Sequence, residues 1–154
     1  MQTRHSRWRA PTLPAALAVF IGVGAITVAQ DAGGKRSVWD GVYTEAQANR
    51  GARQYGRTCE QCHGVDMSGD PVQEVPSLVL DSFMTEWNGR TVKDLFDTVR
   101  RSMPKDNPGS LGTGAYVDVV AYLLQANKFP AGTTELSRVP EQLEPIVIER
   151  SKAP

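Results

Sequence analysis

Cys59-Glu60-Gln61-Cys62-His63 sets two thiols three positions apart, with an imidazole directly after the second. This is the spacing of covalent c-type haem attachment. Each thiol adds across one vinyl group of a single porphyrin only if the chain between them spans that edge, and His63 then falls under the iron. A bare Cys-x-x-Cys also serves as a dithiol redox pair or as half of a zinc site. Cys59 and Cys62 are the only cysteines of the 154 residues, and the β-α-β pattern expected around a thioredoxin-like pair is not visible. A closed structural zinc site needs four ligands, whereas beyond residue 29 there is no third cysteine and His63 is the only histidine. The ligand census therefore favours haem.

A proximal histidine leaves a sixth iron position to Met, His, water or an exogenous molecule. The second histidine, His5, lies in an N-terminal segment expected to be removed, so a bis-histidine site within the mature chain is excluded. Met67 follows His63 by four residues, which extend at most about 14 Å and must also pass around the porphyrin edge. Met84 sits in an apolar Phe-Met cluster, the ordinary place for a packing methionine. Met103 precedes Pro104, which forces it off the α-helical conformation and onto an extended segment. Met103 is accordingly the expected partner of His63 on the iron.

Residues 1–29 have the form of a secretory signal peptide. Arg4, Arg7 and Arg9 precede a charge-free run from Ala15 to Ala29, and Thr27-Val28-Ala29 offers small residues for cleavage after Ala29. The run is shorter than the roughly 20 residues of a spanning helix, which disfavours an uncleaved membrane anchor. Cleavage leaves 14 basic against 17 acidic residues, a net charge of −3. A mildly acidic exported chain with no basic cluster argues against nucleic acid or anionic membrane as partner and points to redox proteins. The expected location is the periplasm, as a soluble monomer.

Four segments follow from composition: the leader 1–29, a Gly-rich, flexible lead-in 30–42, a helical domain 43–130 and an extended tail 131–154. In the domain, Thr44 is placed to cap a helix, with Gln47 completing a capping box, and Ala48, Gly51, Ala52 and Tyr55 share its face. Gly64 to Pro76 is a loop, and Phe83, Met84 and Trp87 form a short apolar cluster. Thr91 caps a helix over 92–101 with Val92, Leu95, Phe96 and Val99 on one stripe. The spacing predicts a last helix over 115–127, with Val119, Tyr122, Leu123 and Ala126 on one face. Prolines 130, 140 and 145 break up the tail, which has Leu136, Leu143, Ile146 and Ile148 available for packing.

In this order Gly51 and Tyr55, Cys59–Gly64, Trp87, Met103-Pro104 and Tyr122 resemble a class I monohaem cytochrome c over about residues 42–130. The resemblance implies an all-α fold of three to five helices around one haem c and its iron. Covalent links would run through Cys59 and Cys62, with His63 and Met103 axial and Tyr55 and Trp87 in the core or the haem pocket. It also implies that the first and last helices cross, with Gly51 against Tyr122. Val38–Tyr43, Trp87-Asn88-Gly89 and Asp106–Gly109 are similar to small bacterial cytochromes that serve, or are fused to, pyrroloquinoline-quinone dehydrogenases. The implied function is one-electron transfer from a dehydrogenase donor to an oxidase or another cytochrome, without a substrate of its own. A haem sensor or peroxidase with an open sixth position, and a dehydrogenase subunit docked through residues 131–154, are the competing readings.

Overall fold

Thr44 opens the first long helix by accepting the Gln47 N–H on its hydroxyl, and α1 runs Glu45–Thr58 in the computed structural model, which describes Gln2 and residues 34–151. The expected leader lies outside the described residues, Gln2 apart. Gln47 does not close the expected capping box. Its buried amide turns inward and exchanges two hydrogen bonds with the backbone of Leu136, at 3.1 and 2.8 Å.

Opposite α1 lies α5, Thr113–Ala126, and these two helices make the most extensive helix–helix contact. They cross at Gly51, where an added Cβ would collide with the Asp118 carbonyl and come within 2.9 Å of the Tyr122 Cβ. The glycine's cost in helix propensity, about 1 kcal/mol, is met by backbone approach that no other residue permits. Beside the crossing, Tyr55 and Tyr122 pack edge to face with ring centroids 5.5 Å apart. The buried surface of α5 is wider than the single stripe expected, because Tyr116 to Ala121 are all buried.

Between these helices come α2, Glu60–His63, then the loop, α3, Leu80–Trp87, and α4, Val92–Ser102. A full capping box joins Thr91 and Asp94 at the start of α4, and Val92, Leu95 and Phe96 are buried. The apolar cluster Phe83, Met84 and Trp87 proves to be the inner face of α3, whose N-cap position, Val79, offers no capping side chain. Met103 ends α4 in an extended conformation, φ −128° and ψ 153°, as Pro104 requires.

The lead-in and the tail are more structured than composition suggests. From Arg36 onward the lead-in belongs to the fold: β1, Arg36–Ser37, is followed by a 3-10 turn, Val38–Asp40, with Val38 and Val42 buried. Tail residues Leu136, Leu143, Ile146 and Ile148 are all buried, and β2, Ile146–Val147, pairs in parallel with β1. The tail passes α1 at Gln47, contacts α4 through a 3-10 turn at Pro140–Leu143, and meets Gly89 and Arg90 through Ile148. The architecture is thus five α-helices with one small parallel strand pair among the described residues. Within those residues no helix is long and apolar enough to cross a membrane.

Candidate functional site

Cys59 ends α1 and starts α2, so both thiols and His63 lie on one tight helical turn. The turn is closed by the Cys62 and His63 N–H groups, which donate to the Cys59 carbonyl at 3.1 and 3.0 Å. No disulfide joins the cysteines: Cys62 is exposed and Cys59 half-buried. Burial pushes the Cys59 thiol up, against the weaker pull of its contact with the Thr58 hydroxyl. A redox dithiol needs the opposite shift to generate thiolate, so the environment opposes the thioredoxin-like reading.

His63 is buried, and its Nδ1 lies 3.1 Å from the Pro76 carbonyl. A carbonyl only accepts, so Nδ1 carries the proton and Nε2 presents a lone pair, the arrangement of a ligating histidine with an outer-shell partner. The loop reaches back to do this through a short turn in which Asp70 and Val75 exchange backbone hydrogen bonds. Gly69 is placed there with φ +70°, where an added Cβ would strike the Val75 carbonyl. Tyr55 closes the other side of the motif by donating its hydroxyl to the Gly64 carbonyl at 2.7 Å. Burial raises the Tyr55 phenol, which keeps it a donor.

The other expected site residues divide. Tyr55 is a buried core residue whose hydroxyl proton is committed to Gly64 and so is not offered to a propionate. Trp87 is buried beside Phe83, and the Arg90 guanidinium stacks 4.3 Å above its ring while pairing with Glu86 at 2.8 Å. Met67 and Met84 are buried in the hydrophobic core. Met103 is half-buried, and its backbone is held by Val99, Gly109 and the Tyr116 hydroxyl, all outside the Cys59–His63 turn. Pro76 and Tyr116 are the site residues that sequence reasoning misses. A proline 13 residues after the histidine is a weak cue for the first, and an aromatic inside a buried helix face gives none for the second.

The residues present fit a covalently held haem: two unbridged thiols on one turn, a histidine with its second nitrogen already satisfied, and a methionine outside the core. Fold and site together define a small monohaem protein of the c-type cytochrome class, and haem c with its iron is the cofactor of that class. A sequence model of the family described as "Cytochrome C oxidase, cbb3-type, subunit III" matches residues 46–123, and the chain belongs to this family of cytochrome c domains. Among solved structures, the sulfane dehydrogenase SoxCD from Paracoccus pantotrophus is similar at 19% identity and a TM-score of 0.50, over 82% of this chain and 68% of that one. That likeness is one of fold. No curated protein matches the chain significantly.

Proposed function

We propose that the chain is an exported, periplasmic one-electron carrier in which Cys59 and Cys62 hold the haem and His63 and Met103 are its axial ligands. The observation that carries this reading is the division among the methionines: Met67 and Met84 are spent on the core, and Met103 stands half-buried on an extended segment. When bound, the haem supplies an iron that takes up and releases one electron. The chain's own residues do the rest. Pro76 fixes the His63 ring and its tautomer, and the hydrogen bond makes Nε2 a stronger donor. The Met103 thioether would favour the reduced state relative to a second histidine and would leave no iron position open to a substrate. The haem-bearing turn and Met103 stand at the C-terminal ends of α1 and α4, and both helices pack on α5.

The absorption spectrum of the exported holoprotein, oxidised and reduced, tests the reading. Met103→Ala is expected to abolish the thioether–iron band of the oxidised protein and Met84→Ala to preserve it; the reverse overturns the ligand assignment. Carbon monoxide added to the reduced protein tests the sensor or peroxidase alternative, since rapid and complete binding requires an open position. A second reading, a cytochrome subunit held by a dehydrogenase, accords with the fold shared with a sulfane dehydrogenase structure. Of its supposed docking arm, 131–154, the described part up to 151 is packed into the domain's own core through Leu136, Leu143, Ile146 and Ile148. Purification from the native source distinguishes the two readings, because a carrier runs alone.

A further inference from the structure

The segment from Met103 to Leu111 leaves the end of α4 and returns to the start of α5. Three of its hydrogen bonds are internal: Asn107 N–H to the Pro104 carbonyl at 2.9 Å, Ser110 N–H to Asn107 at 3.3 Å, and Gly109 N–H to Met103 at 3.4 Å. Residues 105–110 are exposed. On the α4 side the loop is held by the Met103 N–H, which donates to the Val99 carbonyl at 2.9 Å, and beyond it an open cleft of about 440 Å³ lies among Pro108, Gly109, Asp97, Arg100 and Arg101. On the α5 side, a single oxygen holds both ends. The Tyr116 hydroxyl donates to the Met103 carbonyl at 2.8 Å and accepts from the Leu111 N–H at 3.4 Å. The Tyr116 ring is only 1% exposed and stands in the first turn of α5, so the oxygen belongs to the rigid body of the fold.

We propose that Tyr116 is a positioning residue that latches the 103–111 loop at both ends and thereby sets how readily the Met103 thioether leaves the iron. The inference rests on Met103 being the ligand. With the latch closed, the Met103 backbone cannot withdraw without breaking a partly buried hydroxyl–carbonyl bond. Without it, the loop keeps its internal turn but swings as a unit from the end of α4. The hydroxyl's two hydrogen bonds are both to backbone atoms of the loop, so it acts through backbone position.

The test compares the holoprotein with Tyr116→Phe, which retains the buried ring, and with Tyr43→Phe, which loses a more deeply buried hydroxyl–carbonyl bond, to Phe129 at 2.7 Å, away from the loop. Two quantities are read: the imidazole concentration that displaces the thioether–iron band, and amide hydrogen exchange across residues 104–111. Tyr116→Phe is expected to keep the band and the helical circular dichroism. Displacement is expected at about tenfold lower imidazole and loop exchange about tenfold faster, the effect of one buried hydrogen bond. Tyr43→Phe is expected to change neither. Wild-type values in Tyr116→Phe, or equal shifts in both variants, overturn the latch. A thioether band that survives Met103→Ala overturns the ligand reading instead, and loop exchange in Tyr116→Phe still decides the latch. If Tyr116→Phe does not fold, the wild-type exchange pattern decides: the Leu111 amide is expected to be protected relative to Lys105 and Asp106, and equal rates overturn the proposal.

Discussion

Gly51 of α1 lies directly against the backbone of Asp118 in α5, so that hydrogen is the largest substituent its Cα can carry there. Gly56, one and a half turns further along the same helix, meets only the end of the Glu60 side chain, 3.3 Å from an added Cβ. The pair separates two reasons for a glycine in a helix. Gly51→Ala is expected to destabilise the domain by about 3 kcal/mol or more, because helix separation outweighs the ~1 kcal/mol gained in propensity. Gly56→Ala is expected to stabilise it by about 0.5–1 kcal/mol. Urea unfolding of the two variants checks both signs.

Met103 and Met84 are expected to fail in different currencies. Met103→Ala is expected to lower the reduction potential by on the order of 100 mV, since the thioether is an electron-poor ligand that favours the reduced iron. Met84→Ala empties a buried site in α3 and is expected to cost about 2–5 kcal/mol of stability with the potential held. Voltammetry and denaturant titration on the same samples read the two effects.

Removal of residues 131–154 takes Leu136, Leu143, Ile146 and Ile148 out of the core and strands the buried Gln47 amide. Each aliphatic side chain contributes about 1.5–3 kcal/mol on burial, and the sum is comparable with the whole stability of a domain this size. The truncated chain is expected to lose cooperative thermal unfolding, monitored by circular dichroism. Retained native-like melting would show the tail to be an accessory.

Arg50 holds two carboxylates at once, Asp118 at 2.9 Å and Glu135 at 2.8 Å, tying α1 to α5 and to the tail. The hydrogen bond from Arg50 draws the Glu135 carboxyl below the usual glutamate range. A folded-state value below the unfolded one contributes stability that is complete above the unfolded pKa and is lost as pH falls through the folded one. Glu135→Gln is therefore expected to flatten the loss of stability below about pH 4.5 while leaving its pH dependence near neutrality unchanged. Glu135 is substantially exposed, so the effect is a shallower slope rather than a collapse.

Between Thr58 and Gly89 the chain carries Glu60, Asp66, Asp70, Glu74, Asp81 and Glu86 and no lysine or arginine. Hydrogen bonds from the Ser68 backbone lower Asp66, and those from Gln73 lower Asp70, so both stay ionised well below neutral pH. Electron exchange with a basic redox protein is expected to slow by about tenfold between low and physiological salt, and exchange with an acidic one to be slow throughout. Stopped-flow rates against ionic strength check this.

What the sequence makes legible is what local chemistry determines. Thr44 and Thr91 announce two helix starts, Pro104 announces an end, and the attachment motif stands in five consecutive residues. Helix α3 escapes because eight residues without a capping side chain carry too little periodic signal. The Ser37–Asp40 capping box is a missed local cue of the same kind as Thr91–Asp94. In the tail the packing residues Leu136, Leu143, Ile146 and Ile148 are legible, but their partners are not. Gln47 and Leu136 are 89 positions apart, and two-residue strands have no period to detect. The latch from Tyr116 to Met103 is equally hidden, since a buried aromatic in α5 announces packing and not the destination of its hydroxyl.

The strand pair of Arg36–Ser37 with Ile146–Val147 brings the first and last strands of the described residues side by side. Topologically, the domain is a ring closed by hydrogen bonds instead of a peptide bond. Its chain order is then separable from its architecture: a covalent bridge from 148 that runs back along the parallel pair to 36, with a new opening at the exposed turn around Pro71 and Val72, would leave α1, α4 and α5 packed as they are. Because the two strands run the same way, the chain enters at one end of the pair and leaves at the other, so such a module would sit in line between neighbours in a longer chain.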